Sequence, residues 1–395
     1  MTDALPSVSV IVPAHNEEAM LPLCLDSLMH LDYPPKLLEV IVIDNNSTDG
    51  SSRIIRNFPV RYVFEGRKGR ARARNAGLKA ASGEIVAFTD ADAVVDGGWL
   101  RTLVQGFRQP GIGGCGGRNA SFRPTTWIER FFEQEYQGFP ESAETCFENY
   151  FVGTLFAASN MACRRRVLDE VGPFDEGLFA SEDLDLLWRI NLKGHQLDYV
   201  EDAVVYHKRP AAWSALAEIG VRYAYDHFRL IKKYEPVIGM SFAWGAAARK
   251  TGAKLGAATR QAWRGRFEQS RFDLLTAALT ATHLATAAYG WMAGALGQRI
   301  ETSPLGFAPA PVIWRWDSAG DVLILDLLNK NGYRLEGAAG RIWERWACGD
   351  APAAIADAIQ KEYGVSREDA RADVEHLIAE LSRDNVRPRV TDQIA

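Results

Sequence analysis

Between Ser7 and Asp92, short β-branched apolar runs alternate with stretches whose apolar residues recur at helical spacing. SVSVIVP (Ser7–Pro13) reads as a buried strand and EEAMLPLCLDSLMHL after it as a helix. LEVIVIDNNSTDG is a second strand ending in turn residues, SSRIIRNF a short helix and VRYVFE a strand. GRARARNAGLKAAS then reads as a helix and GEIVAFTDAD as a strand. Successive parallel strands need crossover connections, and the crossover helices must cover both faces of the sheet. The expected class is therefore α/β, a Rossmann-like and mostly parallel sheet. In such sheets ligands bind beyond the carboxyl ends of the strands. The polar clusters after Pro13, at Asp44, and at Asp90 and Asp92 fall there.

The pair Asp90 and Asp92 is the oddest of these, because a carboxylate beside a buried strand must find a partner or stay near water. A nucleotide diphosphate brought in with a hard divalent cation supplies such a partner, since Mg²⁺ and Mn²⁺ take oxygen ligands completed by phosphate and water. Net charge is −5 over 395 residues, which argues against nucleic-acid binding through bulk charge. The five cysteines include no CxxC pair, so neither a disulfide frame nor a structural zinc site is expected. No basic segment followed by an apolar one opens the chain in the manner of a signal peptide.

Four motifs in order resemble those of family 2 glycosyltransferases with the GT-A fold: SVIVPAHNEE, IVIDNNSTDG, ARNAGLKAASGEIVAFTDAD and FASEDLDLLWRINLKGHQLDYVEDAVVYH. The resemblance covers residues 7 to about 207. It implies a nucleotide pocket at Pro13, Ala14 and Glu17, and a base-ring contact at Asp44. It implies that Asp90, Ala91 and Asp92 are the D-x-D, with Asp92 a direct metal ligand and His207 joining the metal or diphosphate contacts. It implies that Glu182-Asp183 is the "ED" pair, with Asp183 the catalytic base of an inverting, Mg²⁺- or Mn²⁺-dependent transfer from a UDP-sugar. The Q-x-x-R-W motif of processive synthases is not visible, which favours single-sugar transfer. Arg70, Arg72 and Arg74 suit either phosphate contacts or a solvated helix face.

Past Pro210 the texture changes. Residues Ala211–Tyr234 read as helical. Between Arg249 and Arg271 seven basic residues face one acid, Glu268. The segment Leu274–Leu296 carries no charge beyond His283 and is long enough to span a bilayer, or to form a buried helix. The basic flank favours association with an anionic membrane surface, on the cytoplasmic face of the inner membrane. TSPLGFAPAPVIW reads as a Pro-rich linker. The expected division is 1–235 for the transferase, 236–300 for the membrane-associated segment, 301–311 for the linker and 312–390 for a small C-terminal unit.

In that last unit DVLILDLLNKNGYRLE reads as a hairpin with Asn331-Gly332 in the turn. Three helices follow, the last opened by a Ser366 cap. The stretch Trp314–Arg389 resembles the PqqD-like domains, winged-helix units that bind the leader of ribosomally made, modified peptides. The resemblance implies a leader strand laid beside the hairpin, against Val322–Leu328 and the helix Asp369–Leu381. From Val312 onward fifteen acids outnumber eleven bases, so no DNA-reading surface is expected. The acceptor expected first is a peptide docked by this unit. A lipid-linked or envelope polysaccharide is the alternative, and an inactive binding scaffold the third reading.

Overall fold

The computed structural model describes residues 5–109, 111–130, 157–238, 244–266, 273, 274, 277, 278, 281, 310, 312–316, 320–327, 331–384 and 386–388. The chain begins with β1 (Val8–Ala14), α1 (Leu21–Met29), β2 (Leu38–Asp44), α2 (Ser51–Arg56), β3 (Arg61–Phe64), α3 (Arg70–Ala80) and β4 (Ile85–Thr89). β5 (Ala93–Val95), α4 (Trp99–Leu103), β6 (Ile112–Ser121), β7 (Asn160–Arg164), α5 (Arg165–Val171), α6 (Glu182–Leu192) and β8 (Gln196–His207) complete the sheet. Eight strands lie in the order β3-β2-β1-β4-β7-β6-β8-β5. The pairs among β1, β2, β3 and β4 are parallel, as is β6 with β8. β4–β7, β6–β7 and β5–β8 run antiparallel. This is the mostly parallel α/β sheet expected from the alternation of elements.

Both faces of the sheet are buried, which explains why its strands read as continuous apolar runs. Val10 and Val12 join one core with Leu25 and Trp99, while Ile11 joins the other with Ile41, Phe88 and Leu187. α3 lies close on the second face through Gly77, where a Cβ would stand 2.6 Å from Ile11 Cγ2 and 2.9 Å from Ile43 Cδ1. That close approach seats the helix, and with it Arg74, against the sheet.

Two helices follow, α7 (Trp213–Ile238) and α8 (Trp244–Trp263). Among the described residues no helix is long and apolar enough to cross a membrane. The candidate membrane segment Leu274–Leu296 and the Pro-rich linker lie almost wholly outside the described residues.

The C-terminal unit comprises β9 (Val312–Trp316), β10 (Val322–Asp326), β11 (Asn331–Leu335), α9 (Ala338–Ala347), α10 (Pro352–Tyr363) and α11 (Arg367–Arg383). Its hairpin differs from the expectation in one respect. Asn331 and Gly332 pair with Asp326 and Leu325, so they belong to β11 and not to the turn. β10 is the central strand, hydrogen-bonded to β9 on one side and β11 on the other. The expected addition of a leader beside Val322–Leu328 is therefore corrected: that strand has no free edge, whereas β11 pairs only with β10 among the described residues. The Ser366 cap is present, its hydroxyl accepting the Asp369 N–H at 3.0 Å.

β10 is buried along its whole length because it is covered twice. Val322 and Ile324 pack with Trp343 and Leu381 of the unit's own helices. Leu323 and Leu325 pack with Leu178, Trp188, Leu192, Leu230 and Tyr234 of the transferase body. Ala310 N–H donates to Leu192 O at 2.7 Å, and Gln109 reaches Glu344 at 3.4 Å.

Candidate active site

Strand register assembles the site. β1 and β2 end level, with Pro13 opposite Ile43 and Ala14 opposite Asp44, and β4 runs beside them into Asp90. Ala14 and Ala91 are buried. Asp44 is buried, with Oδ1 accepting the Ser47 N–H at 2.9 Å and Oδ2 accepting the Tyr62 hydroxyl at 2.9 Å. Its carboxylate thus fixes the loop after β2. Glu17 is half-buried just beyond β1. Burial, then the nearby Asp92 and Asp90, push its pKa up to about 7, which marks a place where negative charge is in excess.

Two chain crossings bring His207 to Asp92. β5 pairs antiparallel with β8, placing Ala93 opposite His207, and Lys208 N–H donates to Asp92 O at 2.9 Å. His207 Nε2 then lies 3.3 Å from Asp90 Oδ2 and 3.3 Å from Asp92 Oδ1. Its Nδ1 faces the Lys208 carbonyl at 2.9 Å, which fixes the ring and leaves Nε2 as the inward-facing atom. The three residues offer ligand atoms that all lie within 4.8 Å of one another. Two carboxylate oxygens and one imidazole nitrogen suit a divalent cation such as Mg²⁺ or Mn²⁺, whose remaining positions phosphate and water can fill. Burial disfavours charge on His207, but Asp92 and Asp90 outweigh it and raise the pKa. Burial and Asp90 raise that of Asp92. Asp90 moves the other way: burial opposes its charge, but Arg74, His207 and Arg70 hold its carboxyl well below the usual range.

Arg74 joins this group to the other half of the site. Its buried guanidinium donates to Asp90 Oδ1 at 2.8 Å and to Glu182 Oε1. Glu182 is itself buried, and Asp183 next to it is half-buried. Asp183 Oδ2 accepts the Ala158 N–H at 3.0 Å and Oδ1 the Leu184 N–H at 2.8 Å. One side chain therefore ties the carboxylate pair at the end of β4 to the acidic start of α6.

The structure thus brings together Glu17, Asp90, Asp92 and His207, and links Glu182-Asp183 to them through Arg74. The three arginines of α3 divide. Arg72 donates to Glu176 and to the Lys68 carbonyl. Arg70, the first residue of the helix, stands within the field of Asp90, Glu182 and Asp92. Arg74 is neither a solvated residue nor a free phosphate contact. Sequence reading missed its role, although helical geometry held a clue. Residues four apart share a face and residues two apart do not, so Arg70 and Arg74 had to point one way and Arg72 another.

The sequence model of Glycosyl transferase family 2 matches residues 9–172. The glycosyltransferase AglE of Haloferax volcanii is 30% identical over 52% of this chain and 68% of its own length. The chain belongs to glycosyltransferase family 2. The family 2 chain is also 27% identical to the probable glycosyltransferase YdaM of Bacillus subtilis, over 58% of this chain but only 57% of that relative. It therefore spans little more than half the length of that curated relative. Among solved structures, a mannosyltransferase of Pyrobaculum calidifontis in complex with GDP-Man and Mn²⁺ aligns over 75% of this chain and 82% of its own, with 22% identity and a TM-score of 0.46. Residues 321–386 of the family 2 chain match the model of coenzyme PQQ synthesis protein D (PqqD).

Proposed function

We propose that the chain is an inverting, metal-dependent glycosyltransferase that moves one sugar from a nucleotide-diphosphate sugar, such as a UDP-sugar, to a peptide held by its C-terminal unit. The observation that carries the reading is the convergence of Asp90, Asp92 and His207 beside the Arg74-linked Glu182-Asp183 pair. Asp92, Asp90 and His207 would hold the cation, which when bound neutralises charge on the leaving diphosphate. Arg70 adds positive charge at the same place. Asp183 takes the proton of the acceptor nucleophile, whose lone pair forms the bond to the anomeric carbon. The carbon–oxygen bond to the diphosphate breaks, and its electrons leave with the nucleotide. Glu182, buried on Arg74, holds the base in register with the donor. Pro13, Ala14, Glu17 and Asp44 would line the nucleotide side.

The peptide acceptor is supported by the PqqD match together with β11, which among the described residues is the edge strand of its sheet, paired only with β10. An edge strand can supply main-chain donors and acceptors for an added strand. Tethering the leader there raises the local concentration of acceptor. One feature favours a lipid-linked acceptor instead, at the cytoplasmic face of a membrane. At the end of α8, Trp263 is 88% exposed among the exposed Arg260, Arg264 and Arg266, a pairing suited to an anionic interface.

The test uses the full chain with UDP-glucose, UDP-N-acetylglucosamine and GDP-mannose. Nucleotide release should appear with Mn²⁺ and vanish with EDTA; release indifferent to EDTA removes the metal from the scheme. A short peptide encoded beside the gene should slow amide exchange in Asn331–Leu335. Exchange there unchanged by peptide, with binding to anionic vesicles, would move the lipid acceptor to first place.

A further inference from the structure

Helix α6, which carries Glu182 and Asp183, begins without a side-chain cap. Ser181 stands at the capping position but makes no capping hydrogen bond. The donors leading into the helix are gathered from elsewhere. Asp226, in the middle of α7, turns one carboxylate oxygen toward three successive backbone N–H groups. Its Oδ2 accepts Phe179 N–H at 2.7 Å, Ala180 N–H at 2.6 Å and Ser181 N–H at 3.1 Å. Asp226 is fully buried, and its other oxygen, Oδ1, has no hydrogen-bond partner among the described residues. A buried carboxylate held by one oxygen on three consecutive amides fixes the path of those residues closely.

The same helix grips α6 a second time. Tyr234 OH donates to Asp185 Oδ1 at 2.8 Å, and Lys233 Nζ lies 2.7 Å from the same atom. Between the two anchors, Arg229 donates to the Gly177 carbonyl. α7 thus clamps the loop before α6 and the first turn of α6. Asp183 sits between these anchors, two residues after Ser181 and two before Asp185.

We propose that Asp226 is a positioning residue for the general base: it sets the direction in which α6 presents Asp183 to the acceptor. This inference rests on the reading of Asp183 as the base. Asp226 does not meet the substrate and acts only through the loop 179–181. Loss of its carboxylate leaves three N–H groups to find other partners, and the loop shifts. A displacement of about 1 Å at a catalytic group costs on the order of 10²-fold in rate. The donor side, built on β1, β2 and β4, is held by other contacts and does not move.

The experiment compares Asp226→Ala, Asp226→Asn and Asp183→Asn in the full chain. Turnover is read as nucleotide release from the donor that the wild type uses, and donor affinity as UDP binding with Mn²⁺ by calorimetry. Asp226→Ala should lower kcat by about 10- to 100-fold while UDP affinity stays within about twofold. Asp226→Asn should recover most of the rate, because its amide oxygen can accept the same N–H groups and its NH₂ takes the place of the unpartnered Oδ1. Asp226→Ala with unchanged kcat overturns the proposal, as does equal loss of rate and UDP affinity in both Asp226 variants. If Asp183→Asn itself retains the rate, the base assignment falls and this proposal with it. If Asp183→Asn is inactive while Asp226→Ala is not, only the positioning role is lost.

Discussion

Arg70, Arg72 and Arg74 stand two residues apart on one helix, and the fold puts them to three uses. Arg74 is buried because α3 sits down on the sheet at Gly77, and there it must meet carboxylates. Asp90 and Glu182 meet it. The carboxylates themselves were legible from sequence, D-x-D through its place at the end of a strand and E-D through the resemblance to the family's motif. Their common cation was not, because its depth depends on packing between segments far apart in the chain. Asp44 was placed by the resemblance as a base-ring contact, yet its bonds to Ser47 and Tyr62 needed the fold to be seen. The two acidic motifs should fail differently. Asp92→Ala removes a metal ligand and should weaken Mn²⁺-dependent UDP binding by at least about 10-fold. Asp183→Asn should leave UDP binding near wild type and cut turnover by about 10²-fold. Calorimetry alongside nucleotide release separates them, and an Asp183→Asn enzyme with wild-type turnover would remove the base.

Elements were read well where one period ran unbroken, and less well where a turn or a second packing face decided. Strands β1, β2 and β4 and helix α3 fall where their patterns put them. The pair Asn331-Gly332 does not, because it imitates a tight turn while both residues sit in the ladder opposite Asp326 and Leu325. A further element-level device lies just after β6. Thr126 and Glu129 exchange hydrogen bonds, Thr126 N–H to Glu129 Oε2 at 2.8 Å and Glu129 N–H to Thr126 Oγ1 at 3.2 Å. Lys208 adds a pair to Glu129 at 2.6 Å, tying this helix start to the residue after His207. Burial opposes the charge on Glu129, but Lys208, Thr126 and Thr125 outweigh it and hold its pKa at about 2, below the usual 4.5. A depressed acid pKa stabilises the fold above the unfolded value and loses that contribution as pH falls through the folded one. Glu129→Gln should therefore cost about 1–2 kcal/mol at pH 7, with the difference from wild type closing between about pH 4.5 and pH 2. Thermal unfolding across that range measures it. A deficit that stays constant down to pH 2 would assign the effect to side-chain shape rather than charge.

At the scale of the whole molecule, the run VLIL in β10 carries a message that periodicity alone does not give. A strand of a small winged-helix unit with one solvent face would alternate; this one is apolar from Val322 to Leu325 because two bodies cover it. Leu323 and Leu325 close over Trp188 and Leu192 on the back of α6, and over Leu230 and Tyr234 of α7. The C-terminal unit is thus packed against the helix that carries Asp183, rather than merely tethered near it. Cutting the chain after residue 311 would expose Leu178, Trp188, Leu192, Leu230 and Tyr234 together. Each large apolar side chain brought back into water costs about 1.5–3 kcal/mol. Even partial exposure of five sums to an appreciable share of the ~5–15 kcal/mol that holds a typical fold. The fragment 1–311 should therefore melt several degrees below the full chain or be recovered as aggregate. It should also lose donor turnover as α6 and α7 loosen, whatever the acceptor. The milder variant Leu325→Ala should reproduce part of the loss, about 2–5 kcal/mol, with β11 still in place. A fragment 1–311 that keeps the melting temperature and nucleotide release of the full chain would show that the two bodies are energetically separate. The C-terminal unit would then act on the acceptor through tethering alone.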